Sequence, residues 1–322
     1  MKKLIALIVL SGLLTACSSQ ETATDKDEYP NKTINWIIPY GTGGGSDQFA
    51  RNLIQAAKEV DPRYNIVPIN MPGAMTGTGL NHFLKQKADG YTIFGNTQDV
   101  LLTMVQGNSN HTLEEIEPIM RNQHNIDMWF IKSQEDRFQN FDELIEYAKQ
   151  HPGKLKVATT GLNGTDAIAI KRLEEHFDVK FKNVPYDEPS ERYAALLGGN
   201  VDIIHEQPGD VKSFLDNEDY KPVIAMSAEK VQGFEDVPVT SQYDLDLSTG
   251  FWRGVSVKSG TPPEVVEKLQ ELFTKAMETE SYQKYEKEQY LNIREGILTG
   301  EALKTFLEDE YSYLKEQSSK LD

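Results

Sequence analysis

One loop of the sequence, Gly41-Thr42-Gly43-Gly44-Gly45-Ser46, places four glycines within five positions, between an apolar segment and an amphipathic one. Glycines let backbone N–H groups approach a ligand closely, and the N-terminus of the following helix carries partial positive charge, so the loop favours a carboxylate or similar anion. The alternative interpretation is that the glycines only form a tight turn, but a turn alone would need fewer of them. We expect Tyr40 to Asp47 to face a ligand. Asp47 complicates this, because its carboxylate could occupy the amides that an anion needs.

The same loop does not fit three enzyme motifs. A dinucleotide fingerprint would have glycine at Ser46 and an acidic residue after the second strand, where Ile69-Asn70 stand. A phosphate-binding P-loop would end in Gly-Lys-Ser/Thr, and a nucleophile elbow would have glycine at Gln48. A hydrolase that uses Ser46 and Asp47 remains an alternative, although the sequence offers it no histidine partner.

The remaining titratable residues form no recognisable reaction centre in the sequence. The six histidines lack the spacing of metal ligands. Acidic pairs such as Glu114-Glu115 lie on polar segments, and adjacent residues on a helix do not face one another. The sequence therefore predicts binding rather than catalysis, with no metal and no cofactor.

Four repeats of one pattern must position the loops: a short apolar segment, a loop of small residues, then a helical pattern. The segments are Ile34 to Pro39, Ile66 to Ile69, Lys154 to Thr159 and Val201 to Ile204. This alternation predicts parallel sheets with right-handed crossovers, and two pairs far apart in the chain predict two sheets. The expected fold is thus α/β with two lobes, and the ligand lies beyond the carboxyl ends of the strands. A further strand, Gly90 to Gly95, brings Gln98 to the same end.

Composition limits the partners of the chain. Its 322 residues exceed what one hydrophobic core usually covers, and its formal charge of −17 argues against nucleic acid. The chain has one cysteine, so no disulfide can form within it.

The N-terminal residues predict export. Lys2 and Lys3 precede the apolar run Leu4 to Leu14, and Leu14-Thr15-Ala16-Cys17 follows. The run is too short to span a bilayer and has the layout of a secretory signal. The last four residues resemble a bacterial lipobox, which implies lipidation of Cys17 after removal of residues 1–16. An ordinary cleaved signal is the alternative. Residues 17–28 are polar and predict a flexible tether.

Between Tyr29 and the C-terminal region, the chain resembles the solute-binding receptors of the tripartite tricarboxylate transporters, also called Bug receptors. The resemblance rests on the order and spacing of several short motifs, each weak alone. They are Tyr29-Pro30, Pro39-Tyr40 with Gly43-Gly44 and Asp47, Asn70 with Pro72-Gly73-Ala74 and Gly79, Asp89-Gly90-Tyr91-Thr92, Pro152-Gly153-Lys154-Leu155, Val184-Pro185-Tyr186, Leu197-Gly198-Gly199 with Val201-Asp202, Val237-Pro238 and Gly260-Thr261-Pro262.

The resemblance implies a periplasmic-binding-protein type II fold, in which two lobes of mostly parallel sheet, flanked by helices, close on a small organic acid about a hinge of two crossovers. We expect these crossovers near Gln123 and Ser227. The first lobe then comprises residues 29–122 and 228–322, and the second comprises residues 123–227.

The resemblance also implies which residues bind the ligand. They come from the glycine loop, a second loop, the end of the Gly90 to Gly95 strand, the second lobe and the Trp252-Arg253-Gly254 stretch. The complete set is Tyr40, Gly41, Thr42, Gly43, Gly44, Ser46, Asp47, Gly73, Ala74, Met75, Thr76, Gly77, Gln98, Thr160, Gly161, Asn163, Gly164, Thr165, Tyr186 and Arg253. Helix capping is the alternative role for the residues from Thr160 to Thr165.

Three departures from the family fall in this set or beside it. Met75-Thr76 stand where small residues, commonly glycines, are usual, and Asp187-Glu188 stand where lysine and glycine often follow Tyr186. Arg253 lies between Trp252 and Gly254, where the family varies. It could face a second carboxylate, with an ordinary surface arginine as the alternative.

The resulting hypothesis is a monomeric, lipid-anchored receptor outside the cytoplasmic membrane, in the periplasm or at the cell surface. It captures a carboxylate for the large and small membrane subunits of a tripartite transporter. A ligand sensor with the same fold, which signals through a membrane partner, is the alternative function.

Overall fold

A computed structural model describes residues 28–160 and 163–320 of the chain. The described residues form ten strands: β1 (Ile34–Ile38), β2 (Ile66–Asn70), β3 (Thr92–Thr97), β4 (Ile116–His124), β5 (Met128–Lys132), β6 (Lys156–Thr159), β7 (Lys182–Pro185), β8 (Ile203–Glu206), β9 (Tyr220–Ala225) and β10 (Trp252–Lys258). They also form ten α-helices: α1 (Gly45–Val60), α2 (Gly77–Leu84), α3 (Gln98–Val105), α4 (Phe141–Gln150), α5 (Thr165–Phe177), α6 (Pro189–Leu197), α7 (Lys212–Asp216), α8 (Pro263–Met277), α9 (Glu280–Glu288) and α10 (Gly300–Ser318).

The strands build two sheets with the same internal arrangement. The first has the order β2-β1-β3-β10-β4 and the second the order β7-β6-β8-β5-β9. β10 is antiparallel to both of its neighbours, and so is β5. Each of these is the first strand that the chain forms after crossing from the other lobe, so it enters its sheet from the opposite end. The predicted two-lobed α/β fold is confirmed, with sheets that are mixed rather than wholly parallel.

Apolar faces at helical spacing hold the first lobe together. Phe49 and Leu53 of α1 pack with Trp36 of β1 and Phe273 of α8 in one buried cluster. The ring of Trp36 meets those of Phe49 and Phe273 edge-on, with 5.6 Å between centroids in each case. Helix α8 therefore packs on the first sheet. Among the described residues, no helix combines the length and apolar character needed to cross a membrane.

Two chain segments cross between the lobes, side by side. Residues 125–127 join β4 to β5, and residues 249–251 lead back to β10. The N–H of Asn125 donates to the carbonyl of Phe251 at 2.9 Å, and that of Asp127 donates to the carbonyl of Thr249 at 3.3 Å. A Cβ at Gly250 would lie 1.6 Å from the carbonyl oxygen of Asn125. Only glycine permits this close approach.

The return crossing corrects the boundary at residue 228. Val231, Val237 and Val239 pack on the second sheet, as do Leu245 and Leu247. Residues 228–248 therefore belong with the second lobe. Their apolar residues sit singly in turns and a short 3-10 helix, without the periodicity that would reveal their partner in the sequence.

Candidate functional site

A cleft lies between the lobes, at the carboxyl ends of β1, β3, β6, β7 and β8. Its walls are Tyr40, Gly44, Gly45, Ser46, Asp99, Asp127, Thr160, Thr165, Asp166, Asp187, Pro189, Arg192, His205, Glu206, Gln207, Asp210, Phe251 and Arg253. The enclosed space measures about 50 Å³, whereas small-molecule pockets usually measure roughly 300–1,000 Å³. The two lobes are therefore nearly in contact in this conformation.

Four helices begin at this cleft. The first residues of α1, α5 and α6 line it, as does Asp99, the second residue of α3. The first N–H groups of a helix have no partner within the helix, and each N-terminus carries roughly half a positive charge. The cleft therefore presents positive potential to an anion, although Asp99 and Asp166 already accept from the N–H groups of Thr165 and Ala167 at the start of α5.

Arg253 joins the two lobes across the cleft. It lies on β10 of the first sheet, is 3% exposed, and donates to the Asp210 carboxylate of the second lobe at 2.6 Å. It also donates to Gln207 Oε1 at 3.1 Å and to Ser46 Oγ at 3.2 Å. Its guanidinium stacks over the ring of Phe251, 4.9 Å from the centroid. Arg253 is thus a buried interlobe contact rather than a surface arginine.

Arg192, which sequence alone does not single out, provides a second buried cation. It is 6% exposed, pairs with the carboxylate of Glu206, and donates to Thr160 Oγ1 at 2.8 Å. Its Nε atom is buried and has no hydrogen-bond partner within the described part of the chain. The position of Arg192, one turn into a helix that begins at the cleft, is the only sequence feature that could have indicated it.

His205 forms a buried hydrogen-bonded pair with Asp127. Its Nδ1 accepts from the indole N–H of Trp129 at 3.2 Å, and its Nε2 lies 3.3 Å from Asp127 Oδ2. Asp127 also accepts from Gln207 Nε2 at 2.8 Å. Both ring nitrogens of His205 therefore have partners, which leaves neither free to act as a base toward a nucleophile.

Asp99 and Asp166 are buried carboxylates held by neutral donors. Asp99 accepts from the Thr165 hydroxyl at 2.9 Å and from the Tyr40 hydroxyl at 3.2 Å. Asp166 accepts from the N–H of Thr160 at 2.6 Å. Burial raises the pKa of Asp99, and burial raises the pKa of Asp166 to about 7. The hydrogen bond from Thr165 to Asp99 also links the two lobes.

Asp47 has a structural role in the glycine loop. Its carboxylate accepts from the N–H of Gly43 at 2.9 Å, from Arg51 Nε at 2.9 Å and from Asn70 Nδ2 at 3.0 Å. Although burial opposes ionisation, these hydrogen bonds hold the pKa of Asp47 below its ordinary value. Asp47 therefore fastens the loop to the end of β2, and it is not among the residues that line the cleft.

The structure brings six of the predicted site residues together on the cleft wall: Tyr40, Gly44, Ser46, Thr160, Thr165 and Arg253. It places the second predicted loop elsewhere. Ala74 is exposed, Met75 packs beside α3 and α10, and Thr76 shares a hydrogen bond of 3.0 Å with Thr103. Gly73 and Gly77 flank this turn and are likewise absent from the cleft wall.

The other predicted residues lie around the cleft rather than on its wall. Thr42 and Gly43 are exposed in the glycine loop, whereas Gly41 is buried and a Cβ there would lie 2.0 Å from Glu188 of the second lobe. Tyr186 precedes the lining residue Asp187. Gln98 Oε1 accepts from the backbone N–H of Trp252 at 2.9 Å. The carbonyl of Asn163 accepts from Gln106 of the first lobe at 2.9 Å, and Gly164 caps α5. Gly161 and Cys17 lie outside the described residues.

Most of the charged residues that line the cleft are absent from the set predicted from sequence. They are Asp99, Asp127, Asp166, Arg192, His205, Glu206 and Asp210. Asp99 directly follows Gln98, and Asp166 directly follows Thr165, both of them predicted site residues at helix starts. This proximity is the sequence feature that could have indicated the two carboxylates. The described residues contain no group of three or more histidine, cysteine or acidic side chains arranged to hold a metal ion.

Comparisons with known proteins agree with this architecture. The family described as the tripartite tricarboxylate transporter family receptor matches residues 50–310. A curated UPF0065 protein of the tcbD-tcbE intergenic region in Pseudomonas sp. strain P51 is 26% identical over 280 residues, which cover 84% of this chain and 81% of that protein.

Solved structures give the same result. A TctC solute-binding protein from Polaromonas is 27% identical with a TM-score of 0.67, over 91% of this chain and 100% of that one. MatC from Rhodopseudomonas palustris, solved with bound malate, is 19% identical with a TM-score of 0.79, over 90% of this chain and 100% of that one. The second likeness establishes shared fold only.

Proposed function

Because this chain belongs to the tripartite tricarboxylate transporter receptor family, we propose that it captures a small carboxylate in the interlobe cleft and delivers it to a tripartite membrane transporter. The protein acts as a receptor and not as an enzyme. The malate bound to the MatC protein of the same fold supports a small organic acid as the ligand class.

The observation that carries this proposal is the convergence of four helix N-termini and two buried arginines on one cleft. Oriented N–H groups and guanidinium groups are the donors that bind carboxylates most strongly in proteins. The proposed contacts are Tyr40, Gly44 and Ser46 from the first lobe, Thr160 and Thr165 from the second, and Arg253 between them. Asp47 holds the glycine loop in place through its hydrogen bonds with Gly43 and Asn70.

Ligand capture requires the lobes to move. The enclosed space of about 50 Å³ is too small for an acid of several carbon atoms, so the lobes separate before the ligand enters. The paired segments 125–127 and 249–251 are the hinge. A ligand that contacts both lobes stabilises the closed form by its higher affinity for that form.

Several contacts of the site argue against a hydrolase. Ser46 Oγ accepts from Arg253, and both ring nitrogens of His205 are engaged by Trp129 and Asp127. A serine nucleophile needs a base within hydrogen-bonding distance. We therefore propose that Ser46 binds the ligand and that the protein needs no cofactor.

We further propose that the receptor is a monomer outside the cytoplasmic membrane, anchored through lipidated Cys17 and the polar segment 17–28. The acidic composition, with a formal charge of −17, supports a partner other than nucleic acid. Cys17→Ser in the full chain, expressed in a bacterial host, should abolish labelling by radioactive palmitate and release the protein from the membrane fraction. Retention of the label would contradict the anchor.

Thermal unfolding with a panel of di- and tricarboxylates tests the binding function. A ligand at a hundred times its Kd stabilises the native protein by about 2.7 kcal/mol, so a true ligand shifts the melting temperature in proportion to the logarithm of its concentration. Product analysis after prolonged incubation should show the ligand unchanged. Turnover that disappears in Ser46→Ala would overturn the receptor function.

A further inference from the structure

We propose that the ligand carries an ammonium group beside a carboxylate, as an amino acid does, and that Asp99 and Asp166 bind the ammonium group. This rests on the proposed function, because it names the ligand class of the same cleft.

The buried charges of the cleft are unequal in number. Five carboxylates that line it are held inside the protein, namely Asp99, Asp127, Asp166, Glu206 and Asp210, whereas a sixth, Asp187, is exposed. Three bases face them, and each is already committed to an acid: Arg192 to Glu206, Arg253 to Asp210, and His205 to Asp127. Even with His205 counted as a cation, two carboxylates remain without an ion pair in the described part of the chain.

Asp99 and Asp166 are those two, and they lie close together. Asp99 accepts from the side chain of Thr165, the residue that precedes Asp166. Every hydrogen bond that the structure gives either carboxylate comes from a hydroxyl or a backbone N–H. Burial of an ionised carboxylate is costly unless an opposite charge or strong donors compensate it. A ligand ammonium, with three N–H donors, supplies that charge at the cleft wall.

A separate feature indicates the carboxylate half of the ligand. Arg192 is more than nine-tenths buried and lines the cleft, and its Nε has no partner among the described residues. Arg192 donates to the hydroxyl of Thr160, while Asp166 accepts from the N–H of the same residue. Arg192, which has an unpartnered Nε donor, and Asp166, which has no counter-ion, therefore both contact Thr160. The amino and carboxylate groups of an amino acid are attached to one carbon and match this arrangement.

A dicarboxylate without an amino group matches the cleft less well. Its carboxylates can use the helix N-termini and Arg192, but its remaining surface faces Asp99 and Asp166 and gains no charge partner there. A metal ion is a poorer occupant than an ammonium group, because no cluster of three metal-ligating side chains exists among the described residues.

Isothermal titration calorimetry with matched ligand pairs tests the proposal. Each pair consists of an L-amino acid and the acid that lacks its α-amino group, such as aspartate with succinate and glutamate with glutarate. In the pair that binds, we expect the amino acid to bind at least about tenfold more tightly, as for other buried charge pairs. Equal or tighter binding of the deamino acid would overturn this inference and leave carboxylate binding intact. If no amino acid and no deamino acid binds, both this inference and the proposed carboxylate-binding function are overturned.

Variants separate a direct contact from a general effect on the cleft. Asp166→Asn should weaken the amino acid by about tenfold or more and leave the deamino acid unchanged or tighter, because only the amino acid loses a charge partner. Asp99→Asn should show the same selectivity. The proposal can then still be tested if one of the two variants fails to fold. Asp309→Asn, at an exposed position of α10 that is not on the cleft wall, is the matched control and should change neither affinity. Equal losses for both ligands in Asp99→Asn and Asp166→Asn would contradict the assignment.

Discussion

At the scale of single residues, the site depends on Arg253. Its charge is buried, and its partners belong to both lobes: Asp210 and Gln207 on one side and Ser46 on the other. Sequence could identify Arg253 as a candidate through the family resemblance, because it lies between Trp252 and Gly254 at a position where the family varies. The buried partner Asp210 could not be identified, because it lies far away in the chain and meets Arg253 only in the folded protein.

Arg253→Met should destabilise the protein by about 3–5 kcal/mol, because it leaves the buried Asp210 carboxylate without its partner. The double variant Arg253→Met with Asp210→Leu should recover most of that loss, since no unpaired charge remains. Urea denaturation of the parent and both variants measures these differences. A single variant as stable as the parent would show that the ion pair contributes nothing.

Asp166→Asn should stabilise the unliganded protein at high pH. The pKa of Asp166 rises from 3.8 to about 7 on folding, so the folded state holds its proton more tightly and the parent loses stability as the pH rises from about 4 to 7. The charged groups that act on Asp166 are Asp99, His205 and Arg192. Asparagine carries no such cost, so the variant should gain roughly 2–4 kcal/mol on the parent between pH 4 and pH 8. A pH-independent difference in urea denaturation would contradict this.

At the scale of elements, helices present their N-termini to the cleft and glycines allow the lobes to approach. The sequence predicts α1 and α5 with their loops, because their apolar spacing and glycines are local features. It predicts the second loop less well: Ala74, Met75 and Thr76 all have positive φ, at 50°, 49° and 74°, and the turn packs beside α3 and α10 instead of opening to the cleft. Such packing depends on contacts with distant elements, which no local pattern records.

Gly44→Ala should weaken ligand binding without unfolding the protein. The added Cβ would lie 2.5 Å from Pro189 Cγ of the second lobe, so it obstructs closure rather than folding of the first lobe. We expect a loss of affinity of at least about tenfold, or about 1.4 kcal/mol, by calorimetry. Gly77→Ala is the matched control, because its Cβ would meet no atom closer than 3.5 Å. Equal affinities of the two variants would show that Gly44 does not govern closure.

Ala74→Gly should increase stability, although alanine-to-glycine changes usually reduce it. Ala74 is exposed and has a φ of 50°, a conformation that costs an L-residue roughly 1 kcal/mol and costs glycine little. We expect a gain of up to about 1 kcal/mol in thermal or urea unfolding. Ala194→Gly, at an exposed position inside α6, should instead lose about 0.5–1 kcal/mol. The same sign for both variants would contradict a strained turn at Ala74.

At the scale of the whole molecule, two sheets of identical order enclose one charged cleft. The repeated pattern of apolar segment, small-residue loop and helix suffices to predict two α/β lobes. The return crossing was misplaced because Val231, Val237 and Leu247 lie in turns and contact the second sheet one by one. The same limit applies to the cleft, because its charged residues come from six separate segments of the chain that meet only in the folded protein.

The most direct measurement of the central claim is calorimetric titration of the purified protein with carboxylates and amino acids, in the parent and in the double variant Arg253→Met with Asp210→Leu. The parent should bind one molecule of at least one of these ligands, with a Kd of about 1 μM or below, equivalent to about −8 kcal/mol. The double variant, whose fold is checked by the urea denaturation above, lacks the interlobe cation and should lose at least about a hundredfold in affinity. Undiminished binding by the double variant, or no binding of any acid by the parent, would contradict carboxylate capture at this cleft.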